Sequence, residues 1–194
     1  MNTHPFEPQI PDTAKKLLIG TLPPEEVKFY FSNSSNTRLW DILSAVKNGS
    51  EAVGSGGNYL SDSKKIEILK SLRIGISDII YSYERDDYFS TKDSHINPLE
   101  YRDLIQLAVD NNIEELLFVY QSALKWFIHS LQKAEPIRLK KINKKYKLGG
   151  QEDIKVRGKT IKCTLLPSPL NRGRKGETLQ FKLDFYRKCI LSKH

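Results

Sequence analysis

The sequence has few residues that hold metals or form disulfides, and it has no long apolar run. It contains two cysteines, Cys163 and Cys189, and four histidines, none of them at the spacing of a metal site. Two cysteines exclude a four-cysteine iron–sulfur cluster within one chain, and burial statistics favour small hydrophobic roles for both. No stretch of about 18 apolar residues is present, so no transmembrane helix is predicted. We therefore expect no metal, no other cofactor and no membrane partner.

The length of the chain and its first residues limit the organisation and location of the protein. Its 194 residues match one domain, since domains most often have roughly 100–200 residues. We expect a single domain over residues 1–194 that acts as a monomer, with a core over about 15–190 and an N-terminal arm over 1–14. The start lacks the apolar segment of a secretion signal, which predicts an intracellular protein, cytoplasmic and, if bacterial, associated with the nucleoid.

A surplus of positive charge favours a polyanionic partner. The net charge is +8, and residues 138–147, RLKKINKKYK, carry six basic groups and no acidic one. The stretch RGRK at 172–175 adds three more basic groups. Such a surplus favours nucleic acid as the partner. A solvated charged surface has the same composition, so charge alone leaves both interpretations open.

Apolar runs alternate with amphipathic segments along the chain. Strands are predicted at 15–21, 75–84, 115–120 and 159–167, and helices at 38–46, 63–73, 97–112, 121–133 and 178–193. Asn97 as cap and Pro98 in the first turn mark the start of the third helix. Residues 138–147 and 155–158 are predicted to form a basic hairpin. This alternation predicts an α/β fold, a three-layer α/β/α sandwich around a short, mostly parallel central sheet.

Ligands of such folds bind at the carboxyl ends of the strands, where four loops of this chain are expected to meet. These loops supply aromatic rings, amides, hydroxyls and basic groups, but neither a His, Cys and Ser nucleophile set nor paired carboxylates. The glycine-rich residues 47–62 lack the GK[ST] of a phosphate-binding loop and are predicted to be a linker or a mobile lip. Aromatic faces and hydrogen-bonding groups suit an extruded nucleobase, and the apolar tip of PSPL suits a wedge in the base stack.

Five segments in order resemble the motifs of the uracil-DNA glycosylase superfamily: LLIGTLPP, FYF with a following asparagine and LWDIL, GISDII, LLFVY and LLPSPLNR. They are most similar to the hypoxanthine-DNA glycosylase-like branch, whose first motif, G-S-[MF]-P, precedes an aromatic cluster, an asparagine and FW. The resemblance covers about residues 15–190. It implies a uracil-DNA glycosylase-like fold and a monofunctional DNA glycosylase of base excision repair. The implied partner is duplex or single-stranded DNA with a deaminated or modified base of the uracil or hypoxanthine type.

The resemblance also implies a role for each matching residue. Asn36 matches the catalytic asparagine, and Asp78 is a second candidate for positioning water. Thr37 is an alternative to Asn36, because three residues separate Asn36 from Trp40 where the family pattern usually has two. The implied base pocket comprises Gly20, Thr21, Leu22, Pro23 and either Phe31 or Tyr30 as the stacking ring. The implied DNA contacts, with Leu170 as the wedge, are Ser168, Pro169, Leu170, Asn171, Arg172, Arg174 and Lys175.

Two departures from the resemblance keep rival functions open. Leu22 stands where active uracil enzymes carry Asp or Asn, and Leu166 stands where they often carry His. Both leucines favour a catalytically silent DNA- or lesion-binding module of the same fold. An unrelated hydrolase acting on nucleotides would require an acidic metal cluster, which the sequence does not show.

Several of the proposed site residues also have a purely structural interpretation. Asn36 is a favoured residue to cap the helix that begins near position 38, and Asp78 could cap or pair with Arg85. Alternation places Phe29 and Phe31 on one face of a strand as core residues. The prediction of a DNA glycosylase therefore depends on the order and combination of the segments.

Overall fold

Apolar runs of the sequence form the strands of a central sheet. The computed structural model describes residues 1–24, 27–31, 36–86, 93–134, 148–171 and 177–192. The sheet contains five strands: β2 (Lys16–Gly20), β3 (Ile74–Asp78), β6 (Glu115–Phe118), β7 (Gln151–Val156) and β8 (Lys159–Leu165). Their order is β3-β2-β6-β8-β7, with parallel pairing throughout except between β7 and β8. Every residue of β2, β3 and β6 is buried, as expected for parallel strands covered on both faces.

Helices cover both faces of this sheet. They are α1 (Leu39–Asn48), α2 (Asp62–Leu72), α3 (Leu104–Asp110), α4 (Gln121–Ala134) and α5 (Leu179–Leu191). Successive residues of β2 point to opposite faces, so Leu17 and Ile19 pack in the core beneath α3 and α4, whereas Leu18 packs beneath α1, α2 and α5. The predicted three-layer α/β/α sandwich with a mostly parallel sheet is confirmed.

A second, antiparallel sheet was not predicted, and it corrects one helix. It contains β1 (Asn2–Thr3), β4 (Ile80–Arg85) and β5 (Ile96–Tyr101) in the order β1-β4-β5. The helix predicted over 97–112 is wrong in its first half, because Pro98 lies in β5 opposite Tyr83 of β4. Proline has no N–H to donate, and an edge strand tolerates it because the N–H groups on its open side need no partner. The helix that does form, α3, is capped by Asp103, which accepts a hydrogen bond from the Gln106 N–H.

Two further expectations are corrected by the structure. The strand predicted over 75–84 is two strands, β3 and β4, which belong to different sheets. The predicted hairpin paired residues 155–158 with residues 138–147. In the structure, β7 and β8 form the hairpin, so Lys155 and Val156 pair with the start of β8 instead. Residues 138–147 lie outside the described residues. Within the described part of the chain, no helix is both long and apolar enough to cross a membrane.

Candidate active site

A cavity of about 880 Å³ opens at the carboxyl ends of the parallel strands. Its walls come from the loop after β2, the last residue of β3, residues 93–94, Tyr120 after β6 and the loop after β8. The volume lies within the range of small-molecule sites, roughly 300–1,000 Å³. The cavity is at the edge of the sheet where the fold rule places a ligand.

Two loops that are far apart in the sequence are joined at the mouth of this cavity. Thr37 and Leu170 form an isolated antiparallel β-bridge. The Arg38 N–H donates to the Pro169 carbonyl at 2.8 Å, and the Asn171 N–H donates to the Asn36 carbonyl at 2.8 Å. The loop after β2 and the loop after β8 therefore form one continuous rim.

The floor of the cavity is built around a glycine that has no room for a side chain. A Cβ placed on Gly20 would lie 2.1 Å from Asp78 Oδ1 and 2.8 Å from Phe31 Cζ. Real Cβ atoms essentially never come closer than 3.0 Å to another heavy atom. The close packing of Gly20 is therefore what allows the carboxylate and the aromatic ring to meet at the end of β2.

Asp78 is a buried carboxylate with one oxygen held and the other without a partner. It is 2% exposed, and its Oδ2 lies 3.0 Å from His4 Nε2 of the N-terminal arm. Among the residues that the structure describes, Asp78 Oδ1 has no hydrogen-bond partner, and Asp78 lines the cavity. A buried carboxylate oxygen without a partner is costly, so it marks a position where a ligand or water can bind. The partner of Asp78 is thus His4 rather than Arg85, the residue that the sequence offered.

The ring of His4 is fixed from both sides. Its Nδ1 lies 3.0 Å from the Phe6 N–H and 2.8 Å from the Phe6 carbonyl, and its ring stacks on Tyr30 with centroids 5.7 Å apart. An ionised Asp78 requires a proton on Nε2. Nδ1 then either accepts from the Phe6 N–H in a neutral ring or donates to the Phe6 carbonyl in a charged one. In both states His4 orients the carboxylate.

The aromatic cluster of residues 29–31 is divided between the core and the cavity. Phe29 packs in the core, and Tyr30 is fully buried with its hydroxyl donating to the Phe6 carbonyl at 3.4 Å. The place of Tyr30 in the base pocket is therefore corrected: it lies behind the wall, and Phe31 lines the cavity. Phe31 has a φ of 55°, an uncommon backbone conformation that concentrates at functional sites. Trp40 Nε1 donates to the Tyr30 carbonyl at 2.7 Å and so holds the peptide group between Tyr30 and Phe31.

A second aromatic ring faces the same space as Phe31. Tyr120 follows β6, and its ring centroid lies 6.0 Å from that of Phe31 with the planes 35° apart. Both residues line the cavity. Burial raises the pKa of Tyr120, and the carboxylates of Asp78 and Asp93 act in the same direction. The hydroxyl therefore stays protonated at neutral pH, and the two rings offer an aromatic surface to a planar ligand.

A second carboxylate, Asp93, also lines the cavity. The Ser122 hydroxyl donates to Asp93 Oδ2. Burial raises the pKa of Asp93 and the nearby Asp78 carboxylate raises it further, while hydrogen bonds from Ser122 and Thr21 oppose the shift. Within the described ranges, no group of three or more His, Cys, Asp and Glu side chains is placed to hold a metal ion.

Helix α5 supports the loop that follows β8. The Tyr186 hydroxyl donates to the Pro167 carbonyl at 3.0 Å, and Lys182 Nζ donates to the Leu170 carbonyl at 2.5 Å. Lys182 is only 2% exposed, and its burial lowers the pKa of its amine. Leu170 itself remains 37% exposed at the mouth of the cavity. The loop is thus a braced backbone that presents one apolar side chain outward.

Comparison with known proteins supports the fold. No family model matches the sequence, and no curated protein matches it. Among solved structures, the chain is similar to the solution NMR structure of a "putative Uracil DNA glycosylase" from Methanosarcina acetivorans. The TM-score is 0.59 and the identity 17%, over 95% of this chain and 96% of that one. The chain has a uracil-DNA glycosylase-like fold.

The structure places most of the predicted site residues of this fold around the cavity. The predicted residues that line it are Thr21, Leu22, Pro23, Phe31, Asn36, Asp78, Leu170 and Asn171. Thr37, the alternative to Asn36, lines it too. Gly20 lies beneath the floor, Ser168 is half-buried in the rim loop and Pro169 is buried. Arg172, Arg174 and Lys175 lie outside the described residues. The structural alternative for Asn36 is also corrected, because Arg38 occupies the N-cap position of α1.

Sequence reasoning missed His4 and Asp93 as members of the site, and it gave Tyr120 no role there. His4 lies 74 positions before Asp78, and β1, the strand that it follows, has only two residues. Asp93 lies in a short turn before β5, just ahead of the predicted helix start at Asn97. Tyr120 was placed among the aromatic residues at the strand ends but was not assigned to the base pocket. The one available signal was that Tyr120 immediately follows a buried parallel strand.

Proposed function

We propose that this protein is a DNA glycosylase that hydrolyses the N-glycosidic bond of a deaminated or modified base. The observation that carries the proposal is the cavity at the joined loops, which is lined by Phe31, Tyr120 and Asp78, a buried carboxylate with one oxygen that has no partner among the described residues. Such a cavity offers a stacking surface for one extruded base and a carboxylate for the reacting sugar. Uracil and hypoxanthine are the neutral bases that the resemblance implies.

The side chains divide the reaction between binding and chemistry. Phe31 and Tyr120 stack on the base. Leu170 enters the gap that the base leaves and offsets part of an unstacking cost of about a few kcal/mol. Ser168, half-buried in the rim loop, binds the DNA backbone, as do Arg172, Arg174 and Lys175 in the stretch that follows, while buried Pro169 holds the loop in place. These contacts hold the nucleotide with its anomeric carbon near the floor.

Asp78 and Asn36 position the attacking water. As the bond from the sugar to the base breaks, positive charge develops on the sugar, and the Asp78 carboxylate stabilises that charge. Asp78 Oδ1 accepts a hydrogen bond from the water, while His4 on Oδ2 fixes the orientation of the carboxylate at 3.0 Å. Asn36 binds the water or the base edge from the rim. Positioned acid–base groups of this kind contribute about 10²–10⁴-fold to a rate.

A silent DNA- or lesion-binding module is the second candidate. It is favoured by Leu22 and Leu166, since both are apolar and buried where the resemblance implies polar catalytic groups. Leu22 lines the cavity itself, so it removes one donor or acceptor from the wall. The partnerless oxygen of Asp78 favours the enzyme over this module.

The experiment is excision from defined oligonucleotides. Duplex and single-stranded DNA with a single uracil, hypoxanthine, xanthine or alkylated base is incubated with the protein and then treated with hot alkali. We expect strand breaks at the modified position, and fewer of them with Asn36→Ala. Salt-sensitive binding of the same DNA without any abasic product would favour the silent module instead.

A further inference from the structure

The charges around the cavity point to the kind of base that it accepts. Two carboxylates, Asp78 and Asp93, line it, and none of the described lining residues is a lysine, an arginine or a histidine. Asp78 is 98% removed from solvent by the fold, and its Oδ1 has no hydrogen-bond partner among the described residues. This oxygen is shielded from solvent, and a ligand or water that donated to it would supply the partner that it lacks.

The basic groups near these carboxylates, His4 and Arg85, do not line the described part of the cavity. Arg85 lies close enough to lower the pKa of Asp93, but burial and the Asp78 carboxylate raise it. The His4 ring serves Asp78 Oδ2, on the side of the carboxylate away from its partnerless oxygen. Asn36 and Asn171 at the rim are neutral amides. The described walls therefore present negative charge and aromatic rings together.

Negative charge and aromatic faces both attract a positively charged ligand. Carboxylates attract a cation, and the faces of Phe31 and Tyr120 attract one through their ring quadrupoles. The same carboxylates oppose a neutral base that must leave as an anion. We propose that the base excised at this site carries a positive charge before release, as an N-alkylated purine does, rather than being a neutral deaminated base. This inference rests on the proposed glycosylase function and specifies its substrate.

The chemistry of a cationic base fits groups that accept protons and do not donate them. When the bond from the sugar to the purine breaks, its electron pair goes to the purine ring and cancels the positive charge, so the base leaves neutral. The water oxygen then bonds to the anomeric carbon, and one of its protons passes to the Asp78 carboxylate and from there to solvent. The products are a neutral alkylpurine, an abasic sugar and one proton, so no group has to protonate the leaving base.

Binding of non-cleavable duplexes tests the inference. Two duplexes are identical except for one nucleotide, which is 7-methylguanine or hypoxanthine on a 2′-fluorinated sugar that resists cleavage. We expect the methylated duplex to bind at least tenfold more tightly, or about 1.4 kcal/mol. Asp93→Asn should reduce that ratio, whereas Asp12→Asn, an exposed carboxylate preceding β2, should not. Because the ratio compares two ligands on one protein, partial unfolding of a variant cancels.

Excision from cleavable versions of the same duplexes separates this inference from the proposed function. Release of 7-methylguanine, with a larger rate enhancement over spontaneous loss than hypoxanthine or uracil, supports both. Preferential release or tighter binding of hypoxanthine would overturn the cationic-base inference and leave the glycosylase intact. Preferential binding of the methylated duplex without release of any base would support the inference about the base and overturn the enzyme. Equal binding of both duplexes without any release would overturn both.

Discussion

The Gly20→Ala substitution places a methyl group where the floor of the cavity has no room. The new Cβ would lie 2.1 Å from Asp78 Oδ1 and 2.8 Å from Phe31 Cζ, whereas ordinary contact begins at 3.4 Å. The carboxylate cannot simply turn away, because His4 holds its other oxygen at 3.0 Å. Asp78 or β2 must therefore move by about 1 Å, and overpacking of this kind costs roughly 1–3 kcal/mol.

Excision should be affected more than folding. A misplacement of about 1 Å at a reacting centre can cost about 10²-fold in rate. We therefore expect Gly20→Ala to reduce single-turnover excision about 100-fold while the protein still unfolds cooperatively in urea, with a free energy of unfolding about 1–3 kcal/mol lower.

Gly54→Ala is the matched control. A Cβ at Gly54 meets nothing within 4 Å, so neither excision nor the free energy of unfolding should change appreciably. If Gly20→Ala excised its base as fast as the wild-type protein, the close packing of Gly20 against Asp78 would have no part in the reaction. That result would refute the assignment of this floor as the reacting centre.

Substitutions at three further positions test separate parts of the site. His4→Ala should lower the free energy of unfolding by about 1–3 kcal/mol, since it leaves a buried carboxylate unsatisfied, and it should slow excision. His4→Gln keeps a donor and should restore much of the stability and of the excision rate. Equal effects of the two variants in excision kinetics and urea unfolding would contradict the orienting role. Leu170→Ala should slow excision from duplex DNA several-fold more than from single-stranded DNA, because only the duplex has a stacked gap to fill; equal slowing would contradict the wedge. The raised pKa of Asp93 means that the folded state retains its proton up to a higher pH than the unfolded chain does, so the ionised group reduces stability as the pH rises through the folded-state pKa. The unfolding free energy of Asp93→Asn relative to wild type should therefore increase between pH 3 and pH 7, and a difference that does not change with pH would show that Asp93 titrates as it does in the unfolded chain.

The sheet could be predicted from the sequence because its strands are short, apolar and separated by helical segments. Predicted strand 15–21 and observed strand Lys16–Gly20 agree closely, as do predicted helix 121–133 and observed helix Gln121–Ala134. Burial on both faces gives such strands a continuous apolar run that local sequence shows directly. The rule that ligands bind at the carboxyl ends of parallel strands then located the cavity.

The remaining features depend on contacts that leave no local pattern. Pro98 looked like the start of a helix, but pairing with β4 outweighed that local preference. His4 reaches Asp78 because β1 pairs with β4, and two residues are too few to show the alternation of a strand. Tyr30 and Phe31 are neighbours with similar side chains. Only the positive φ of Phe31 and the Trp40 hydrogen bond to the Tyr30 carbonyl decide which of the two faces the cavity.

The most direct measurement of the central claim is the single-turnover excision rate of Asp78→Asn beside the wild-type protein and Asp12→Asn. Asp78→Asn keeps the shape of the side chain and removes the charge that faces the cavity. We expect wild type and Asp12→Asn to release the modified base at the same rate, and Asp78→Asn to be slower by about 10²–10⁴-fold. Release by Asp78→Asn at the wild-type rate would contradict the claim that this carboxylate acts on the glycosidic bond.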